Sequence, residues 1–134
     1  MRMVLSLVPT ALVLIHLVLV VWGVLGLAEY FFPAIRLELQ SPAFPPGVQF
    51  LHFFAVLVTG ALFVLGYATR WSHTPLAVVI MYSVLATLCF VETVDFGAFG
   101  GGTARFVPMT IEYVVYVLIG TYLLRSAAMV RHFG

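Results

Sequence analysis

Residues 3–28 read MVLSLVPTALVLIHLVLVVWGVLGLA and contain no aspartate, glutamate, lysine or arginine. A helix that crosses the hydrocarbon core of a bilayer needs roughly 20 predominantly apolar residues. A secretory signal has an apolar region of only roughly 7–15 residues followed by a small-residue cleavage site, and no clear site of that kind follows here. This stretch therefore predicts a membrane-spanning helix, and it decides the class of the protein.

The composition of the whole chain agrees with a membrane protein. Of its 134 residues, 63% are hydrophobic and 8% are charged, whereas soluble domains carry about 25% charged residues. The formal net charge is +1 and there is no lysine, so nucleic acid is excluded as a partner. Cys89 is the only cysteine and lies in an apolar run, which predicts a small core residue rather than a disulfide or thiolate metal site. The expected partners are membrane lipid and other integral membrane subunits.

Four apolar segments are long enough to span a membrane, at about residues 4–32, 48–69, 75–94 and 106–129. We therefore expect one domain over residues 1–134, an all-α integral membrane four-helix bundle. The fourth segment is unusual because only Tyr113–Leu124 is free of charge, which covers roughly 18 Å of helix. Either Glu112 or Arg125, or both, is therefore expected within the thickness of the membrane.

An even number of spans places both chain ends on one side, and the charged residues divide between the two sides. The side of the chain ends carries Arg2, Arg70, Arg125 and Arg131, and the side of the longer loops carries Arg36 and Arg105. By the positive-inside rule both termini are cytoplasmic, which we expect in a bacterial plasma membrane. All the acidic residues fall on the opposite side, in acidic loops that face outside: Glu29, Glu38, Glu92, Asp95 and Glu112.

Glu112 is the strongest candidate for chemistry. Tyr116 follows it at i+4 on the same helix face, and Tyr113 lies on the adjoining stripe. An ionised carboxylate in hydrocarbon costs several kcal/mol unless it is paired, protonated or open to water. Two interpretations follow: a proton-accepting or ligand-binding carboxylate, or an ion pair with Arg36 or Arg105 that holds a loop to the helix.

A second group of polar residues is expected at the outer end of the bundle. Glu29, Glu92 and Asp95 end the first and third helices at a similar height, and His52 lies about one turn into the second helix. A histidine with several carboxylates can bind a divalent metal or transfer protons. His52 and Asp95 are therefore candidate metal ligands, and Glu29 and Glu92 are candidate ligand-binding or proton-transfer residues. The alternative is a hydrated acidic interface without a bound ion.

His16 lies near the middle of the first span, about 20 Å of helix rise from Glu29. This depth separates it from His52, so the two cannot ligate one haem iron. We expect a neutral histidine bonded to a neighbouring helix, and the alternative is a single-histidine haem or a haem shared with another subunit.

One stretch resembles a known family. The segment GALFVLGYATR (Gly60–Arg70), followed by an apolar helix from Pro75, resembles the junction between the second and third helices of the DoxX-like family of small four-helix membrane proteins. The similarity extends to the chain length and to a membrane glutamate near the start of the last helix, here Glu112. The resemblance implies a bundle associated with membrane redox systems, including subunits that work with quinones or sulfur compounds.

Three functions are consistent with the sequence. The first is an accessory or structural subunit of a larger membrane complex, because the chain has almost no soluble part and no dense catalytic cluster. The second is a quinone-binding redox subunit that uses Glu112 and Tyr116, since a quinone suits a tyrosine-lined pocket beside a carboxylate. The third is a small oligomeric transporter. No residue is predicted to be catalytic, and a quinone or a lipid is the ligand class that we expect.

Overall fold

The computed structural model describes residues 2–134, with side chains from Leu7 onward. Over these residues the chain is helical and has no strand, and four of its helices are long and apolar enough to cross a membrane. These helices are α1 (Arg2–Phe31), α2 (Pro46–Thr69), α3 (Thr74–Val94) and α4 (Phe106–Arg125). The predicted all-helical class with four candidate spans is confirmed.

Each long helix packs mainly against its neighbours in sequence, α1 on α2, α2 on α3 and α3 on α4. Close contacts show that these pairs are antiparallel: Gly26 late in α1 meets Phe53 early in α2, and Gly66 late in α2 meets Thr74 at the start of α3. The two longer loops therefore lie at one end of the bundle, the loop end. The turn at 70–73 and the end of α4 lie at the other, the termini end.

Glycines bring the backbones of α1 and α2 into contact. A Cβ atom on Gly60 would lie 2.6 Å from the carbonyl oxygen of His16 and 2.8 Å from the backbone nitrogen of Val20. Small residues of this kind are typical of membrane helix interfaces, where close approach gains van der Waals packing. The contact fixes the rotation of α1 and holds His16 against the rest of the bundle.

The end of α4 differs from the predicted limit. The helix ends at Arg125 rather than at about Met129 because Ser126 has an extended backbone (φ −72°, ψ 135°). The hydroxyl of Ser126 accepts a hydrogen bond from the backbone N–H of Met129 at 3.1 Å, which caps a short helix, α5 (Ala127–Phe133).

Helix α5 folds back on the end of α2. The ring of His132 stacks on Tyr67 with ring centroids 4.0 Å apart, and its Nε2–H donates to the backbone oxygen of Tyr67 at 2.8 Å. Met129 and Phe133 are buried on the same side. The last residues of the chain therefore close the core at the termini end.

Five of the buried residues of α3 form one stripe, spaced alternately by four and three positions: Val78, Tyr82, Leu85, Cys89 and Glu92. This spacing places them on one helix face, and Val78, Tyr82 and Leu85 belong to the hydrophobic core that the helices share. In contrast, α4 buries only Gly120 and Leu123. It is attached along a narrow face, which leaves most of its surface exposed.

Candidate functional site

A groove of about 600 Å³ lies between α3 and α4 and opens to the outer surface of the bundle. Its volume falls in the range of about 300–1,000 Å³ that is usual for small-molecule sites. Its aromatic and polar walls include Tyr82, Ser83, Tyr113, Tyr116, Thr121 and Arg125. Gly120 lets α4 approach α3 closely within the groove, since a Cβ atom there would lie 3.3 Å from Val79 Cγ2. We call this feature the α3–α4 groove.

The carboxylate of Glu112 lies beside the loop-end part of the groove. The hydroxyl of Tyr116 donates to one carboxylate oxygen, as their i+4 spacing indicates, and the thiol of Cys89 donates to the other at 3.2 Å. Glu112 itself does not line the groove, whereas Tyr116 does. The carboxylate is therefore satisfied by two neutral donors, with Tyr116 lying between it and the groove.

The expected alternative for Glu112, an ion pair with an arginine, is not seen. Within residues 7–134 neither Arg36 nor Arg105 forms a salt bridge with it. Instead, the guanidinium of Arg105 lies 4.9 Å above the ring of Phe106. Within the described residues no cationic side chain pairs with the Glu112 carboxylate, so its hydrogen bonds to Tyr116 and Cys89 are the interactions that stabilise it.

The other tyrosines of the groove are also held by hydrogen bonds. Tyr113 donates to the backbone oxygen of Ala86 at 2.8 Å, which fastens α4 to α3. The rings of Tyr82 and Tyr116 stack at 4.9 Å between centroids and 17° between planes. All three tyrosines line the groove, and each hydroxyl donates its proton to an acceptor within the protein.

Tyr82 connects the groove to the centre of the bundle. Its hydroxyl donates to Nε2 of His16 at 2.8 Å, and Nδ1 of His16 lies 2.7 Å from the backbone oxygen of Leu12. A carbonyl oxygen only accepts, so the proton of His16 is on Nδ1 and Nε2 is the acceptor. The prediction that His16 bonds a neighbouring helix is confirmed. Tyr82 itself was not singled out from the sequence, although it lies on the buried stripe of α3.

Glu29 lies apart from this groove and organises the first loop. Its carboxylate accepts the backbone N–H groups of Glu38 at 2.7 Å, Leu39 at 2.8 Å and Gln40 at 3.1 Å. Glu38 adopts a left-handed backbone (φ 59°), which turns these three amides toward one point. The carboxylate that ends α1 therefore anchors the loop by backbone contacts.

His52 and Glu92 form a third, separate pair. Nδ1 of His52 lies 2.8 Å from a carboxylate oxygen of the buried Glu92 and joins α2 to α3. Asp95 is exposed, and no hydrogen bond or ion pair within residues 7–134 joins it to His52. In that part of the chain, no three histidine, cysteine or acidic side chains are grouped so that they could hold a metal ion. The acidic residues at the loop end thus serve separate roles and do not converge on one centre.

Comparison of the chain with protein-family models, with curated proteins and with solved structures gives no match. The resemblance to the DoxX-like family therefore stays a prediction. Function has to be inferred from the chemistry of the site, since a four-helix bundle hosts many activities.

Proposed function

We propose that the protein is a small integral membrane subunit that binds a lipid-soluble quinone in the α3–α4 groove. One observation carries this proposal: the rings of Tyr82, Tyr113 and Tyr116 line a membrane-open groove next to the carboxylate of Glu112. A flat ring with a long apolar tail matches aromatic walls that are open to lipid on one side. The ligand can enter sideways from the bilayer without crossing water.

The tyrosine rings supply most of the expected affinity. Aromatic pairs contribute about 0.5–1.5 kcal/mol each beyond the burial of their area. The fixed hydroxyl groups of Tyr113 and Tyr116 hold both rings in place before any ligand binds, which reduces the entropy lost on binding. The site is therefore preorganised for a planar ligand.

Glu112 and Tyr116 give the site a route for protons. Quinone chemistry requires proton exchange at the ring oxygens together with electron transfer. The phenol of Tyr116 donates directly to Glu112, so a proton can pass between a ligand oxygen at Tyr116 and the carboxylate behind it. The chain supplies binding and proton exchange in this proposal, and a partner subunit supplies the electrons.

A photoreactive azidoquinone in lipid nanodiscs tests the binding site. The proposal predicts labelling of peptides from α3 and α4. Ser83→Phe places a ring in the groove and is expected to reduce labelling roughly fivefold or more, because it removes about 1 kcal/mol of ligand contact. Val84→Phe is the matched control, since Val84 is exposed beside Ser83 but does not line the groove. Labelling that is spread over α1 and α2, or equal in both variants, would overturn the proposal.

A second candidate function is an accessory subunit of a larger membrane complex, which is compatible with quinone binding. The observation that favours it is the narrow attachment of α4, which buries only Gly120 and Leu123 while α2 and α3 are buried along their length. Such a surface suits a partner helix as well as lipid. Gentle solubilisation and affinity purification should then recover other subunits in fixed stoichiometry. Recovery of the chain alone at every detergent concentration would count against this candidate.

The proposed orientation places both termini in the cytoplasm of a bacterial cell. It is supported by the arginines Arg70, Arg125 and Arg131 at the termini end and by the acidic residues at the loop end. A C-terminal green fluorescent protein should therefore fluoresce, and a C-terminal alkaline phosphatase should be inactive. The reverse pattern would invert the orientation.

A further inference from the structure

The termini end of the α3–α4 groove contains polar groups that the fold itself does not use. Thr121 and Arg125 are one turn apart on α4, and both line the groove. Within residues 7–134 the hydroxyl of Thr121 makes no hydrogen bond and Arg125 makes no salt bridge. By contrast, the hydroxyl groups of the three tyrosines all have acceptors. The available donors of the groove therefore lie at this end.

The charges around this end favour an anion. All five acidic residues of the chain lie at the loop end or in its loops, whereas Arg70 and Arg131 share the termini end with Arg125. A guanidinium presents several N–H donors in a planar fork that matches the oxygens of a phosphate. An arginine at the end of a membrane helix also reaches the level of the lipid headgroups.

The rest of the groove suits a chain. Tyr113 and Arg125 are separated by about 18 Å of helix at 1.5 Å per residue, and the lining between them includes Val117, Gly120 and Leu124. This stretch is apolar and open to the bilayer along its length. An acyl chain can therefore lie against it without leaving the membrane.

We infer that Arg125 and Thr121 bind the headgroup phosphate of an anionic phospholipid, one acyl chain of which lies along the α3–α4 groove. The guanidinium contacts the phosphate oxygens, and the hydroxyl of Thr121 donates to the same group from one turn away. The inference does not rest on quinone binding, because it depends on Arg125 and Thr121 rather than on Tyr116 and Glu112. The two ligands overlap only in the apolar middle of the groove.

Native mass spectrometry of the full-length protein tests this site. Phosphatidylglycerol and phosphatidylcholine with identical chains are titrated into the detergent-solubilised protein, and the bound fraction of each is measured. The wild type should retain phosphatidylglycerol in preference to phosphatidylcholine. Arg125→Gln should weaken phosphatidylglycerol binding about tenfold, since it removes a charge-assisted contact, and Thr121→Val should weaken it less.

Arg131→Gln is the matched control, because Arg131 is exposed at the same end but lies outside the groove. It should reduce the preference much less than Arg125→Gln, by about twofold or less, because it removes only a charge at a distance from the site. Arg125→Lys is the second variant, for use if Arg125→Gln folds poorly. It keeps the charge without the planar fork, so its affinity for phosphatidylglycerol should lie between those of the wild type and Arg125→Gln. Equal retention of both lipids by the wild type, or equal losses in Arg125→Gln and Arg131→Gln, would overturn the inference. Arg125→Gln should be labelled by the azidoquinone as strongly as the wild type. The phospholipid inference and the quinone proposal can therefore be refuted separately.

Discussion

The hydrogen bond between Tyr82 and His16 gives the sharpest test of the core. Tyr82 is 4% exposed, and its hydroxyl donates to Nε2 of the fully buried His16 at 2.8 Å. Tyr82→Phe removes this donor. The proton of His16 is on Nδ1, which donates it to the backbone oxygen of Leu12, so Nε2 is left as a buried acceptor without a donor. An unsatisfied buried acceptor costs about 1–3 kcal/mol, and hydrogen bonds between membrane helices average about 0.6 and reach about 1.7 kcal/mol. We expect a loss of about 1–2 kcal/mol in the free energy of unfolding.

Tyr122→Phe is the matched control for this prediction. The hydroxyl of Tyr122 is buried, and it has no hydrogen-bond partner among the residues that the structure describes. Removing it should leave stability unchanged or raise it by up to about 1 kcal/mol, because a desolvated hydroxyl without a partner is unfavourable. Both changes delete the same atom from a tyrosine in a membrane helix. The difference between them therefore isolates the bond to His16.

The assay is reversible unfolding in mixed micelles of increasing sodium dodecyl sulfate, followed by circular dichroism and by tryptophan fluorescence. A double-mutant cycle of Tyr82→Phe with His16→Leu should show a favourable coupling between the wild-type residues of about 1 kcal/mol. Equal effects of Tyr82→Phe and Tyr122→Phe, or a cycle with no coupling, would refute the assigned bond.

Two further predictions concern the close helix pair and the first loop. Gly60→Ala should lower the free energy of unfolding by about 1–3 kcal/mol, because its Cβ atom would lie 2.6 Å from the backbone oxygen of His16. Gly47→Ala is the control, because its Cβ atom would lie in open space, and it should be neutral or stabilise α2 by up to about 1 kcal/mol. Equal losses of stability in Gly60→Ala and Gly47→Ala, measured by the same unfolding assay, would contradict the close contact of α1 and α2. Glu29→Gln should speed amide hydrogen exchange in residues 38–40 about tenfold or more, because the carboxylate accepts all three amides. Asp95→Asn, at an exposed position, should leave that exchange unchanged, and equal protection in both variants would contradict the anchoring role of Glu29.

The four long helices could be predicted from the sequence. A segment that crosses a bilayer must be long and apolar, and its backbone N–H and C=O groups must be hydrogen-bonded within the segment. The contact between Glu112 and Tyr116 also follows, since residues at i and i+4 share one helix face. The end of α4 was predicted too late, because Ala127, Ala128 and Met129 continue the apolar pattern after Arg125 and Ser126, whereas the extended backbone of Ser126 ends the helix. The available signal was Ser126 itself, because serine is a preferred first cap of a new helix.

Contacts across the bundle were harder to predict. His16 and Tyr82 are 66 positions apart, and their bond depends on how α1 and α3 are rotated. The regular spacing of Tyr82, Cys89 and Glu92 on α3 is the sequence signal for their shared buried face. Glu29 could not be assigned in this way, because its partners are backbone amides that carry no side-chain signal.

The most direct test of quinone binding in the α3–α4 groove is native mass spectrometry of the protein released gently from its own membranes, with fragmentation to identify bound small molecules. The account predicts that the wild type and Val84→Phe retain a molecule with the mass of a quinone, and that Ser83→Phe retains roughly fivefold less of it or lower still. A wild-type protein that carries no quinone, or a Ser83→Phe variant that retains as much as the wild type, would contradict the central claim.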